Sequence, residues 1–69
     1  MKLIIEGCTA EELAETTPYL RVGVEYDAEQ VEGSHRLWEM VDDEGDRICV
    51  ATGRRSMHLP SNARWVQVE

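Results

Sequence analysis

Phenylalanine is absent from the chain, and the aromatic share of 6% rests on two tryptophans and two tyrosines. Any core must therefore lean on Trp38 and Trp65, each able to bury roughly 150–250 Å². Cysteine is scarce. Cys8 and Cys49 are too few for a disulfide framework. Long apolar runs are missing as well: stretches such as Leu3-Ile4-Ile5 fall far short of the roughly 20 residues a bilayer span needs. No basic segment precedes a long apolar stretch, so no secretory signal is expected and the two thiols are expected to stay reduced. With 69 residues in all, the chain has room for one domain and none for a dinucleotide-binding sheet.

Basic charge is also in short supply. Seven basic residues stand against 14 acidic ones, a net charge of −7. Residues 1–34 hold eight acidic and two basic residues, which is −6, and residues 35–69 are nearly balanced at −1. Phosphate neutralisation drives nucleic-acid affinity, so direct nucleic-acid binding is not expected. Arg54-Arg55 is the only basic doublet. An acidic half is steered instead toward basic surfaces, although acidity also serves solubility alone.

The patterning that remains reads mostly as strands. Lys2–Gly7 alternates, with Leu3 and Ile5 on one face. Thr9-Ala10-Glu11-Glu12 is a capping box, in which hydroxyl and carboxylate each take the other residue's amide. The helix it opens is short, because Pro18 disfavours helical geometry at Thr17. Roughly two turns need a dock to be stable, and Leu13 supplies the apolar contact. Val24–Val31 alternates Val24, Tyr26 and Ala28 with Glu25, Asp27 and Glu29, a half-buried strand with one acidic face. Arg36–Val41 places Trp38 and Met40 on one face. Asp42-Asp43-Glu44-Gly45-Asp46 is the strongest turn signal in the chain. Arg47–Thr52 returns, a basic turn covers residues 53–56, Met57–Leu59 forms a short strand or bridge, and Ala63–Glu69 is the last strand. Five or six short strands in so small a chain usually close into a barrel, which removes exposed edges.

Few constellations suit chemistry. Cys8, His35, Cys49 and His58 are zinc-ligand types, but they lack the paired spacing of common zinc sites, and ordinary half-buried thiols explain the cysteines. Cys8 precedes a helix start that would lower its pKa, yet Glu6, Glu11 and Glu12 oppose this, and no oxyanion-hole glycine pattern accompanies it. The Asp42–Asp46 run lacks calcium-loop spacing. No cofactor, metal or catalytic residue is expected. Three features remain as partner-binding candidates. The first is the carboxylate row Glu25, Asp27 and Glu29, spaced about 6.5–7 Å along a strand. The second is the hairpin acids Asp42, Asp43 and Glu44. The third is Trp65 with Arg54 and Arg55, a composition common in interface hot spots and equally in barrel cores.

From Leu20 onward the chain resembles a family. "RVGVEY" at Arg21–Tyr26, "WEMVDDEGDRICV" at Trp38–Val50 and "RWVQVE" at Arg64–Glu69 are similar to the texture of short phage- and prophage-encoded SH3-like barrel proteins. "LPSN" at Leu59–Asn62 also looks like the turn before the last strand of peptide-binding SH3 domains. Ala63 stands where those domains place a groove tyrosine, however, so recognition of proline-rich peptides does not follow. The resemblance implies a mainly β fold, a small SH3-like barrel of five or six strands over residues 19–69. Residues 1–18 form an added strand and short N-terminal α-helix that cover one opening or edge. It also implies a non-catalytic accessory protein of a bacterial cytoplasm that binds and modulates a host protein. A DNA mimic built on the acidic strand face, and an assembly protein of a phage particle, remain open beside that reading. So does a homodimer through an edge strand. No membrane partner is expected.

Overall fold

The computed structural model describes residues 1–53, 58–60 and 62–68. The chain runs β1 (Lys2–Glu6), α1 (Ala10–Thr16), β2 (Tyr26–Gln30), β3 (Leu37–Val41), β4 (Arg47–Ala51) and β5 (Arg64–Val68). The five strands form one antiparallel sheet in the order β4-β3-β2-β1-β5. The fold is thus mainly β with one short helix, as the alternation predicts. The expected bridge at Met57–Leu59 begins outside the described residues, and His58 and Leu59 lie in a turn and a bend. Arg54, Arg55 and Ser56 of the expected basic turn fall outside them too.

One expectation is corrected. Residues 1–18 are not an addition laid on a finished sheet, since β1 lies inside it, between β2 and β5. Ile4 faces Val66 and Leu3 faces both Gln67 and Tyr26 in the register. Leu3 and Ile5 are almost completely buried, so the first strand supplies core that the barrel-like portion alone would lack.

β2 is the hinge of the sheet. Tyr26 and Asp27 pair with β1, and Ala28–Gln30 pair with β3. Alternation then sends Tyr26, Ala28, Trp38, Met40, Val50 and Trp65 inward, where they join Leu13 from α1 and Leu20 from the loop after it. Tyr26 and Trp65 meet edge to face, with centroids 5.8 Å apart. The Cα radius of gyration of 11.0 Å matches the roughly 11 Å of a compact chain this long. Among the described residues the ladder does not close. Its ends approach at one parallel bridge between Thr52, just past β4, and Trp65 in β5.

Local chemistry fixes the ends of the elements. Thr9 and Glu12 form the reciprocal capping box at 3.1 and 3.0 Å, and the helix stops at Thr16, one residue before the C-cap Thr17. β3 starts at Leu37 rather than Arg36, and the amides of both residues donate to the Ser34 hydroxyl at 3.3 and 3.2 Å. Gly7 has φ of 94°, and a Cβ there would lie 2.7 Å from the Asn62 carbonyl oxygen. Only glycine fits both constraints.

Candidate acidic interface

The expected strand Val24–Val31 is shorter, Tyr26–Gln30, so of the carboxylate row Asp27 and Glu29 lie on β2 and Glu25 just before it, and the register adds a further acid. Glu25, Asp27 and Glu29 are exposed while Tyr26 and Ala28 are buried. β3 repeats the alternation, so Leu37, Glu39 and Val41 face out. The β2–β3 register sets Glu29 directly opposite Glu39. Like charges in that position destabilise a sheet. The nearest relief is slight: the Arg47 guanidinium stands 4.0 Å from the Glu39 carboxylate. Asp27 is better served, with the Lys2 ammonium at 2.7 Å. That contact holds the Asp27 carboxyl below its usual range and the Lys2 ammonium above its own, chiefly through the hydrogen bond.

These residues line a concavity of about 590 Å³. Glu25, Asp27, Glu29 and Glu39 give it acidic side chains, Met1 and Val41 its apolar portion, and Arg47 a cationic side chain. Met1 and Val41 are large hydrophobic side chains left exposed, at 66% and 52%. The surface is therefore acidic with apolar patches, a composition that complements a partner carrying lysines or arginines with apolar neighbours.

The hairpin acids do other work. Asp42 is buried, and its Oδ1 accepts hydrogen bonds from the Glu44 and Asp46 amides, each at 2.9 Å. It shapes the turn. Asp43 accepts a bidentate pair from Arg21, at 2.8 and 2.9 Å, together with the Tyr26 hydroxyl. Its amide bonds the Tyr19 carbonyl oxygen. The Asp43 carboxyl is held below the usual range, first by the Arg21 hydrogen bond. Asp43 thus ties the β3–β4 hairpin to the loop leading into β2. Glu44 is exposed, and carboxylate oxygens of Asp42, Glu44 and Asp46 lie within 4.8 Å of one another. That crowding follows from the tight turn, and one Asp42 oxygen is already committed to two amides.

Trp65 is 1% exposed and belongs to the core, so its ring offers no surface to a partner. Its Nε1 has no hydrogen-bond partner among the described residues, whereas Trp38 Nε1 donates to Thr52 Oγ1 at 3.1 Å. Among the described residues the four zinc-type side chains do not gather. Cys8 is half-buried and Cys49 exposed, both free. Burial, then Glu12, pushes the Cys8 thiol up. His35 is exposed, and His58 meets the Tyr19 hydroxyl at 3.2 Å through Nδ1. The His58 carbonyl accepts from the buried Thr17 hydroxyl.

Sequence reasoning missed Glu39, Val41, Met1 and Arg47. The outward alternation of β3 was legible, but its register against β2 was not. Comparison of the chain with known protein families, with curated proteins and with solved structures finds no match. Among the described residues, no helix is long and apolar enough to cross a membrane.

Proposed function

We propose that the chain is a small non-catalytic binding protein, of the accessory kind its phage-like texture implies. It would engage a basic surface of a host protein in the bacterial cytoplasm and modulate that protein by occupying the surface. One observation carries the reading: Glu29 and Glu39 face each other in register inside an acidic concavity. An arrangement that costs the isolated fold stability is retained where a cationic partner relieves it. The barrel belongs to this proposal as well. The Thr52–Trp65 bridge draws the two ends of the sheet together at one corner, so the chain would form a partly closed barrel with its carboxylates outward and the β4 edge left open short of Thr52.

Mimicry of nucleic acid is the second reading, favoured by exposed carboxylates at two-residue spacing, Asp27 and Glu29 on β2 and Glu25 just before it. A row about 6.5–7 Å in repeat resembles a phosphate row. Both readings are tested by capture from bacterial lysate with the native protein and with the variant Glu25→Lys/Asp27→Lys/Glu29→Lys. The proposal expects one stoichiometric protein that the variant loses while keeping its circular dichroism. Nucleic acid displacing that protein identifies mimicry. Equal recovery by the variant, or no partner at all, refutes the acidic-face reading.

A further inference from the structure

We propose that the open edge of β4 docks an extended segment of the partner as an added strand, with a lysine or arginine set opposite Cys49. The proposal rests on the acidic-face reading and states how the partner is held. Backbone parity defines the edge. Asp42 N–H bonds the Asp46 carbonyl and Thr52 N–H bonds the Arg36 carbonyl, each at 2.9 Å. In the β3–β4 register these are opposed positions, so even-numbered residues of β4 turn their backbone groups toward β3. The N–H and C=O groups of Arg47 and Cys49 therefore point away from the sheet. Among the described residues no strand lies beyond β4 there, since the bridge to β5 begins only at Thr52. The edge carries neither proline nor glycine, and its one charged residue is Arg47. Such an edge is a template for strand addition.

Charge selects the occupant. Glu39 lies directly across from Cys49, and Glu29 directly across from Glu39. An acidic row thus runs over the outer face to the small side chain at the edge. A residue hydrogen-bonded opposite Cys49 would have its Cα about 10 Å from that of Glu39, the sum of one narrow and one wide antiparallel spacing. A lysine or arginine side chain and the Glu39 carboxyl close that span between them, over the short Cys49 side chain. A second copy of this chain fits badly, because it would bring another net charge of −7 to the same edge.

The probe is a labelled, capped peptide, Thr-Val-Thr-Lys-Thr-Val-Thr, titrated by NMR. Two isomers carry one backbone N-methyl group, on the lysine or on the threonine before it. Of these two amides, the lysine amide would point at β4 and the threonine amide away from it. Methylation there is expected to weaken binding at least tenfold, while methylation of the threonine leaves it within about twofold. The Arg47 and Cys49 amides should exchange more slowly in the complex, and glutamate in place of the peptide's lysine should abolish binding. The protein variant Cys49→Pro removes an outward N–H without touching the ladder to β3, and is expected to lose the peptide. Equal affinity of the two methylated isomers overturns strand addition, as does an absence of peptide binding. Protection of the Arg47 and Cys49 amides in a dimer of the free protein also overturns it. Lysate capture that persists alongside such a result would leave the acidic-face reading standing.

Discussion

Replacing Glu29 with lysine should stabilise the fold while it weakens binding. Glu29 opposes Glu39 across the β2–β3 ladder, and both are exposed. Two unit charges about 6 Å apart in water-like surroundings interact by about 0.7 kcal/mol. Converting repulsion to attraction doubles that change, and screening over a Debye length of about 8 Å at physiological salt roughly halves it. The expected gain is about 1.4 kcal/mol at low salt and about 0.7 kcal/mol at about 0.15 M, on the scale of cross-strand charge pairs. For a domain of this size the gain at about 0.15 M raises the Tm by about 3–6 °C. Thermal melts of wild type and Glu29→Lys in low and high salt measure it. Glu32→Lys is the control: Glu32 is exposed in the following turn, so the change in net charge is the same without the opposed partner. Glu29→Lys/Glu39→Lys restores a like-charge pair and should forfeit the gain. If Glu29→Lys is no more stable than Glu32→Lys, or its gain ignores salt, the reasoning from the register fails.

Three other outcomes follow from the packing. Asp43→Asn should lower stability and flatten its decline in acid. The Asp43 carboxyl sits below its unfolded range because of Arg21, so its contribution is complete above about pH 5 and is lost as pH falls through the lowered value. Urea midpoints between pH 3 and 7 test this, and a parallel acid limb in the variant would contradict it. Trp38→Phe should cost more than Trp65→Phe. The first removes the hydrogen bond from Trp38 Nε1 to the Thr52 hydroxyl, while the second removes a buried N–H without a partner among the described residues whose burial itself costs about 1–3 kcal/mol; the reverse order in urea denaturation would refute the contrast. Thr9→Ala should cost about 1 kcal/mol through loss of the capping box, read as a lower urea midpoint, and an unchanged midpoint would show that α1 adds nothing to the fold.

Much of the local structure was legible because its causes lie within a few residues. The capping box needs only Thr9 and Glu12, and Pro18 needs only its neighbour. Each strand shows its inner face by alternation, which placed Trp38 and Met40 inside and Glu25, Asp27 and Glu29 outside. The Asp42–Asp46 turn announced itself by composition, although its acids looked like surface charge. Asp42 instead bonds two amides of its own turn, and Asp43 reaches Arg21, far away along the chain.

What the sequence determined by itself is therefore the mainly β character, the short capped helix and the outward acidic row, each set by contacts between near neighbours. Tertiary structure alone decided that β1 lies within the sheet, that Glu39 stands against Glu29, and that β4 keeps a free edge. Those facts depend on which strands pair and in what register. Pairing is chosen by the joint burial of Leu3, Ile5, Tyr26 and Trp65, residues distant in sequence, and no local pattern records that choice.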